Sequence, residues 1–155
     1  MEHLYWIIPA AAIVAFAIAV WLSGRLGKSS IDVNAARRQF QQQQEDLQQL
    51  FFHTASASGK PRGLRWKDCQ WSDLAAWLRD KQTGELLALV GVTISFEAIE
   101  GSDMEGVEAV GNLRNATAVF VFQEGSWGTT GRVVFNLNPD EAAAHFQAGY
   151  ERLEM

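Results

Sequence analysis

Five carboxylates crowd one short stretch of the chain: Glu97, Glu100, Asp103, Glu105 and Glu108, interleaved with Gly101, Gly106 and Gly111. Oxygen ligands at that density suit a hard cation such as calcium. The EF-hand pattern needs alternating Asp or Asn ligands, then a glycine, then a distant Glu. Here Gly106 comes too early for it. The stretch therefore reads as an acidic inter-strand loop, open to a weakly held cation or a basic partner. Acid–base catalysis would need two of these groups in different environments, and no sequence feature sets that up.

The remaining reactive side chains are sparse. The histidines are His3, His53 and His145, and the sole cysteine is Cys69. They show no zinc-ligand spacing. A single cysteine excludes an intrachain disulfide, and Cys69 reads as a small, half-buried apolar residue. Cys69 with His145 is the one Cys/His combination in the C-terminal part of the chain, and such pairs meet only in space. Gly24 to Ser29 (GRLGKS) imitates a phosphate-binding loop. The position that should hold its first glycine is Leu22, with no strand before it. Asn115-Ala116-Thr117 matches a glycosylation sequon but falls in an expected strand. No catalytic, cofactor-binding or metal-binding residue is assigned from sequence, and the expected protein is not an enzyme.

Charge is unevenly spread. Residues 24–67 hold eight Lys/Arg and three Asp/Glu, a net of plus five; residues 68–155 hold five and fourteen, a net of minus nine. Arg25, Lys28, Lys60, Arg62, Arg65 and Lys67 make the near half a candidate contact for an anionic membrane surface. The acidic body argues against nucleic acid.

The elements that carry these residues begin with Leu4 to Leu22 (LYWIIPAAAIVAFAIAVWL), nineteen residues without a charge. At ~1.5 Å per residue they span roughly 28 Å, close to the bilayer hydrocarbon thickness. Tyr5, Trp6 and Trp21 stand where aromatic rings meet headgroups. The positions before the segment lack the Lys or Arg of a cleaved signal peptide, so an uncleaved single-pass signal-anchor is expected. All flanking Lys and Arg follow the span, which places residues 1–3 outside and the rest in the cytoplasm.

Residues 23–30 read as a Gly/Ser-rich hinge, and residues 31–53 as a Gln-rich amphipathic helix. Val33, Ala36, Phe40, Gln43, Leu47 and Leu50 form a seam at heptad spacing. That seam serves either a short coiled-coil stalk or packing on the helix's own domain. With Ala11, Ala15, Ala19 and Ser23, small residues four apart in the span, it is the candidate surface for a homodimer.

Residues 54–63 read as a linker, and residues 64–155 as an α+β domain. Its alternating stretches predict an antiparallel sheet of about five strands: Leu64–Trp71, Leu74–Arg79, Leu86–Ala98, Ala116–Phe122 and Arg132–Leu137. Gly91 marks a bend or bulge. Asn138, Pro139 and Glu141 start a C-terminal helix whose stripe is Ala142, Ala143, Phe146, Tyr150 and Leu153. A bent sheet wrapping a helix would resemble the architecture of cystatin-like or NTF2-like domains, and that resemblance carries no functional residue. The function expected is a membrane-anchored interaction or assembly module with an unknown protein partner. The alternative is a lipid- or small-molecule-binding domain, with a pocket between sheet and helix lined by Trp77, Phe96, Phe120 and Trp127.

Overall fold

The structure is a computed structural model that describes residues 31–58 and 63–154. The expected span Leu4–Leu22, the hinge 23–30, and Lys60 and Arg62 lie outside them. Among the described residues no helix is long and apolar enough to cross a membrane.

Asp32 opens α1 (Val33–Gln42) by accepting from the backbone N–H groups of Asn34 and Ala35. The chain breaks at Gln43, whose N–H turns back to the Gln39 and Phe40 carbonyls, and resumes as α2 (Gln44–Ser58). The single helix expected over 31–53 is thus two helices. The break falls in the polar Gln41–Gln44 tract, which has no apolar side chain to bury. The helix also runs into the expected linker, because Ala55 is buried one turn beyond Phe51.

Six strands form one antiparallel sheet: β1 (Leu64–Asp80), β2 (Leu86–Ala98), β3 (Arg114–Gln123), β4 (Ser126–Gly128), β5 (Val133–Phe135) and β6 (Tyr150–Leu153). Their order is β4-β3-β2-β1-β6, with β5 following β4 along the same edge of β3. The stretches Leu64–Trp71 and Leu74–Arg79, expected as separate strands, are one strand. Ser72, Asp73 and Leu74 bulge from it between Trp71, paired to Val92, and Ala75, paired to Val90. Gly91 is the residue opposite, and a Cβ there would collide with Ser72 Oγ. The glycine expected to mark a bulge thus lies opposite one, where a Cβ would require the Ser72 hydroxyl to turn away.

Alternation sorts the sheet's side chains onto two buried faces. On one, Trp77, Ala88, Val90, Phe120 and Trp127 meet Ala36 and Phe40 of α1 and Leu47, Phe51 and Ala55 of α2. On the other, Ala76, Leu78, Leu87, Leu89 and Val119 meet Ala142 and Ala143 of α3 (Pro139–Phe146). Helices thus cover both faces, where the cystatin-like or NTF2-like arrangement has a sheet wrapped around one.

The start of α3 is as expected: Asn138 and Glu141 form a reciprocal capping box with Pro139 in the first turn. Its end is not. The helix stops at Phe146, a turn follows through Gly149, and Tyr150–Leu153 pairs with Trp77–Asp80 of β1. In the strand Tyr150 and Leu153 are half-buried on opposite faces, Tyr150 against the core beneath α3 and Leu153 paired to Trp77.

Candidate interaction face

At the end of the sheet where β2 stops and β3 starts, the chain makes a long excursion, residues 99–113. Backbone bonds of the i to i+3 kind and a 3₁₀ turn at Glu108–Gly111 hold it. Gly101 and Gly106 take positive φ of 77°, which turns the chain without a side-chain clash. Ile99 N–H and Ser102 Oγ both donate to the Gly63 carbonyl, at 2.9 and 3.1 Å, tying the loop to the start of β1. The carboxylate of Glu105 accepts from Gly101 N–H at 2.8 Å.

This tied-down loop walls a cavity of about 330 Å³ lined by Leu64, Phe96, Met104, Val110 and Phe135, with Arg114 and Asn136 at the lining's polar side. Six large apolar side chains are exposed among the described residues. Four of them are at this end: Ile99, Val107 and Leu113 on or beside the loop and Phe135 in the cavity wall, each between 42% and 57% exposed. Clustering of that kind marks a binding surface far more often than scattered exposure does. Glu100, Asp103, Glu105 and Glu108 are exposed on the same loop.

The residues proposed from sequence as a pocket are divided. Phe96 lines this cavity. Phe120 is fully buried, and Trp127 is packed against Phe40, Trp77 and Phe122, so both fill the core. Trp77 reaches a different cleft of about 380 Å³ beside the β1 bulge, with Phe40, Leu74 and Arg152. The expected sheet–helix pocket is absent at Phe120 and Trp127 because Phe40 and Phe51 occupy that space. Sequence reasoning missed Met104, Val110, Leu113 and Phe135. Their signal was present: Ile99, Met104, Val107, Val110 and Leu113 recur through a loop that its acids made look merely solvated.

Of the membrane-surface candidates, Arg25, Lys28, Lys60 and Arg62 lie outside the described residues. Arg65 is held by Glu97 at 2.7 Å, and Lys67 is exposed where β1 shifts register. Of the association seam, Ala36, Phe40 and Leu47 are buried against the chain's own sheet, Val33 is half-buried and Leu50 exposed. Ala11, Ala15, Ala19 and Ser23 lie outside. The three buried side chains are not presented to a second chain while the sheet is covered, so the seam supports packing on its own domain.

Cys69 lines a third cleft, of about 440 Å³, with Glu45, Gln48, Phe52 and Trp71. Burial pushes its thiol up to about 12, and the Asp68 carboxylate adds to the rise. An activated nucleophile needs the opposite shift. Cys69 stands on the sheet face that α2 covers, and His145 belongs to the helix on the other face. Among the described residues no three His, Cys, Asp or Glu side chains converge as metal ligands. No protein-family model, curated protein or solved structure matches the chain.

Proposed function

We propose that this protein is a membrane-anchored, non-enzymatic module that binds a protein partner through the face built by residues 99–114 and Phe135. The observation that carries the reading is that, among the described residues, four of the six exposed large apolar side chains belong to the loop that walls one apolar cavity or, as Phe135, to the cavity's lining. Elsewhere most large side chains fill the two faces of the sheet, and Leu50 and Leu74 are the other exposed ones among the described residues. The uncharged segment Leu4–Leu22 supports the anchor, and the Lys and Arg that follow it support a cytoplasmic location for the domain.

Two experiments test the reading. A photo-crosslinking residue at position 107 of the full chain, in its own cells, should yield one discrete polypeptide adduct. The adduct should be absent from position 50, an equally exposed apolar site on α2, and lost on Phe135→Asp. A lipid adduct would instead support the alternative of a lipid-binding domain, for which a cavity of about 330 Å³ is at the lower end of ligand-pocket sizes. For the anchor, the full chain should stay with membranes through alkaline carbonate extraction. A reporter after Met155 should register the cytoplasm. Recovery of a mature chain lacking residues 1–22 would overturn the anchor.

A further inference from the structure

The same face specifies the chemistry of its partner. Between Ile99 and Arg114 there are four acids, Glu100, Asp103, Glu105 and Glu108, and one base, Arg114, a net of minus three. All five side chains are exposed. Among the described residues none of them is in an ion pair, whereas Glu97 just before them is matched by Arg65. Glu105 is engaged only by a backbone N–H. The loop that walls the apolar cavity thus carries exposed carboxylates that no other described residue matches in an ion pair.

We infer that this face takes a basic amphipathic segment of a partner protein, with one bulky apolar side chain seated between Phe96, Met104, Val110 and Phe135, an inference that rests on the interaction reading. Apolar burial at the centre with charge matching at the rim is how protein interfaces divide affinity and specificity. The Met104 thioether, unbranched and polarizable, adapts to anchors of different shape. An anionic bilayer is the poorer occupant, because the carboxylates that attract lysine repel acidic headgroups. Arg114, the one base among the described residues that line the cavity, meets a polar or acidic group on the segment and so fixes its direction.

The test uses the full chain in mild detergent and two labelled synthetic peptides of about sixteen residues. Both carry leucines and one tryptophan at helical spacing; one has lysine at every polar position and the other glutamate. The lysine peptide should bind at least about tenfold more tightly, and the preference should weaken as salt rises. Asp103→Lys with Glu108→Lys, both exposed, should abolish or invert the preference without changing the urea midpoint. Phe135→Asp should weaken the lysine peptide through the cavity. Equal binding of the two peptides, no binding of either, or an unchanged preference in the charge-reversed variant overturns the inference. If the polypeptide crosslink at position 107 persists in that case, the interaction reading stands and only the partner's chemistry was wrong.

Discussion

The indole N–H of Trp127 donates a 2.7 Å hydrogen bond to the carbonyl oxygen of Ala36, joining β4 to α1 across 91 positions of the chain. Both residues are buried. The Trp127 ring also meets Phe40 at 5.0 Å, Phe122 at 5.2 Å and Trp77 at 5.7 Å between centroids. One side chain therefore seats the helix layer on the sheet and fixes an edge strand of only three residues, which backbone pairing alone would hold weakly.

Trp127→Phe keeps much of the apolar contact and removes the donor. The loss of a buried hydrogen bond and part of a ring should cost about 1–3 kcal/mol. Urea unfolding of the full chain should show the drop in midpoint. A change within measurement error would mean that the bond to Ala36 contributes nothing.

Phe40 and Leu50 are both seam positions, and the structure assigns them opposite roles. Phe40 stands within 5.4 Å of the Trp77, Phe120 and Trp127 rings, each in an edge-on arrangement. Phe40→Ala should destabilise by about 3–5 kcal/mol, as for other large core truncations. Leu50, 44% exposed, should tolerate Ala within about 0.5 kcal/mol. Cysteines placed at 40 or 47, with Cys69 replaced, should give no crosslink between copies. Efficient crosslinks there would show that the seam faces a second chain.

Local chemistry was legible in the sequence where a few adjacent residues decide the outcome. Asn138-Pro139 with Glu141 is a capping sequence that starts α3 as read, and Gly91 lies opposite the bulge, where a Cβ would press on the Ser72 hydroxyl. Contests between local pattern and tertiary pairing were not legible. Tyr150 and Leu153 fit a helical stripe, but the turn at Gly149 and the free edge of β1 at Trp77–Asp80 make them a strand. The α+β class and the two-sided burial of Leu86–Val90 follow from alternation. The candidate face does not, because acids and glycines mask the apolar residues among them, and their convergence on Phe96 and Phe135 needs the sheet order.

Gly131 should be among the least replaceable glycines. Its φ is +75°, and a Cβ would stand 2.6 Å from the Ala55 backbone nitrogen in α2. Gly84, at φ +80° in the β1–β2 turn, has open space around it. Gly84→Ala should therefore show backbone strain alone, on the order of 1 kcal/mol. Gly131→Ala should add the displacement of a buried helix, a further 1–3 kcal/mol or so. Comparing the two urea midpoints isolates the helix contact, and equal losses would show that α2 moves aside freely.

Cys69 should be slow to react and should couple the fold to alkaline pH. Its thiol, ordinarily at 9.0, is raised to about 12 by burial first and by the Asp68 carboxylate second. The thiolate is the reactive form, so alkylation near pH 8 should be at least about tenfold slower than for a free thiol, the smaller thiolate fraction outweighing its greater nucleophilicity. The sign for stability follows from proton counts. Between pH 9 and 12 the unfolded chain has released the thiol proton and the native chain retains it. The native state then binds more protons, and stability falls as pH rises through that window. Solvent reaches this half-buried group, which reduces the size of the effect but not its direction. Cys69→Ala removes the contribution, so the variant should gain on the unmodified chain as urea midpoints are followed from pH 8 to pH 11. Alkylation at the free-thiol rate, or a midpoint difference that stays constant with pH, would show that the thiol is not held in its protonated form.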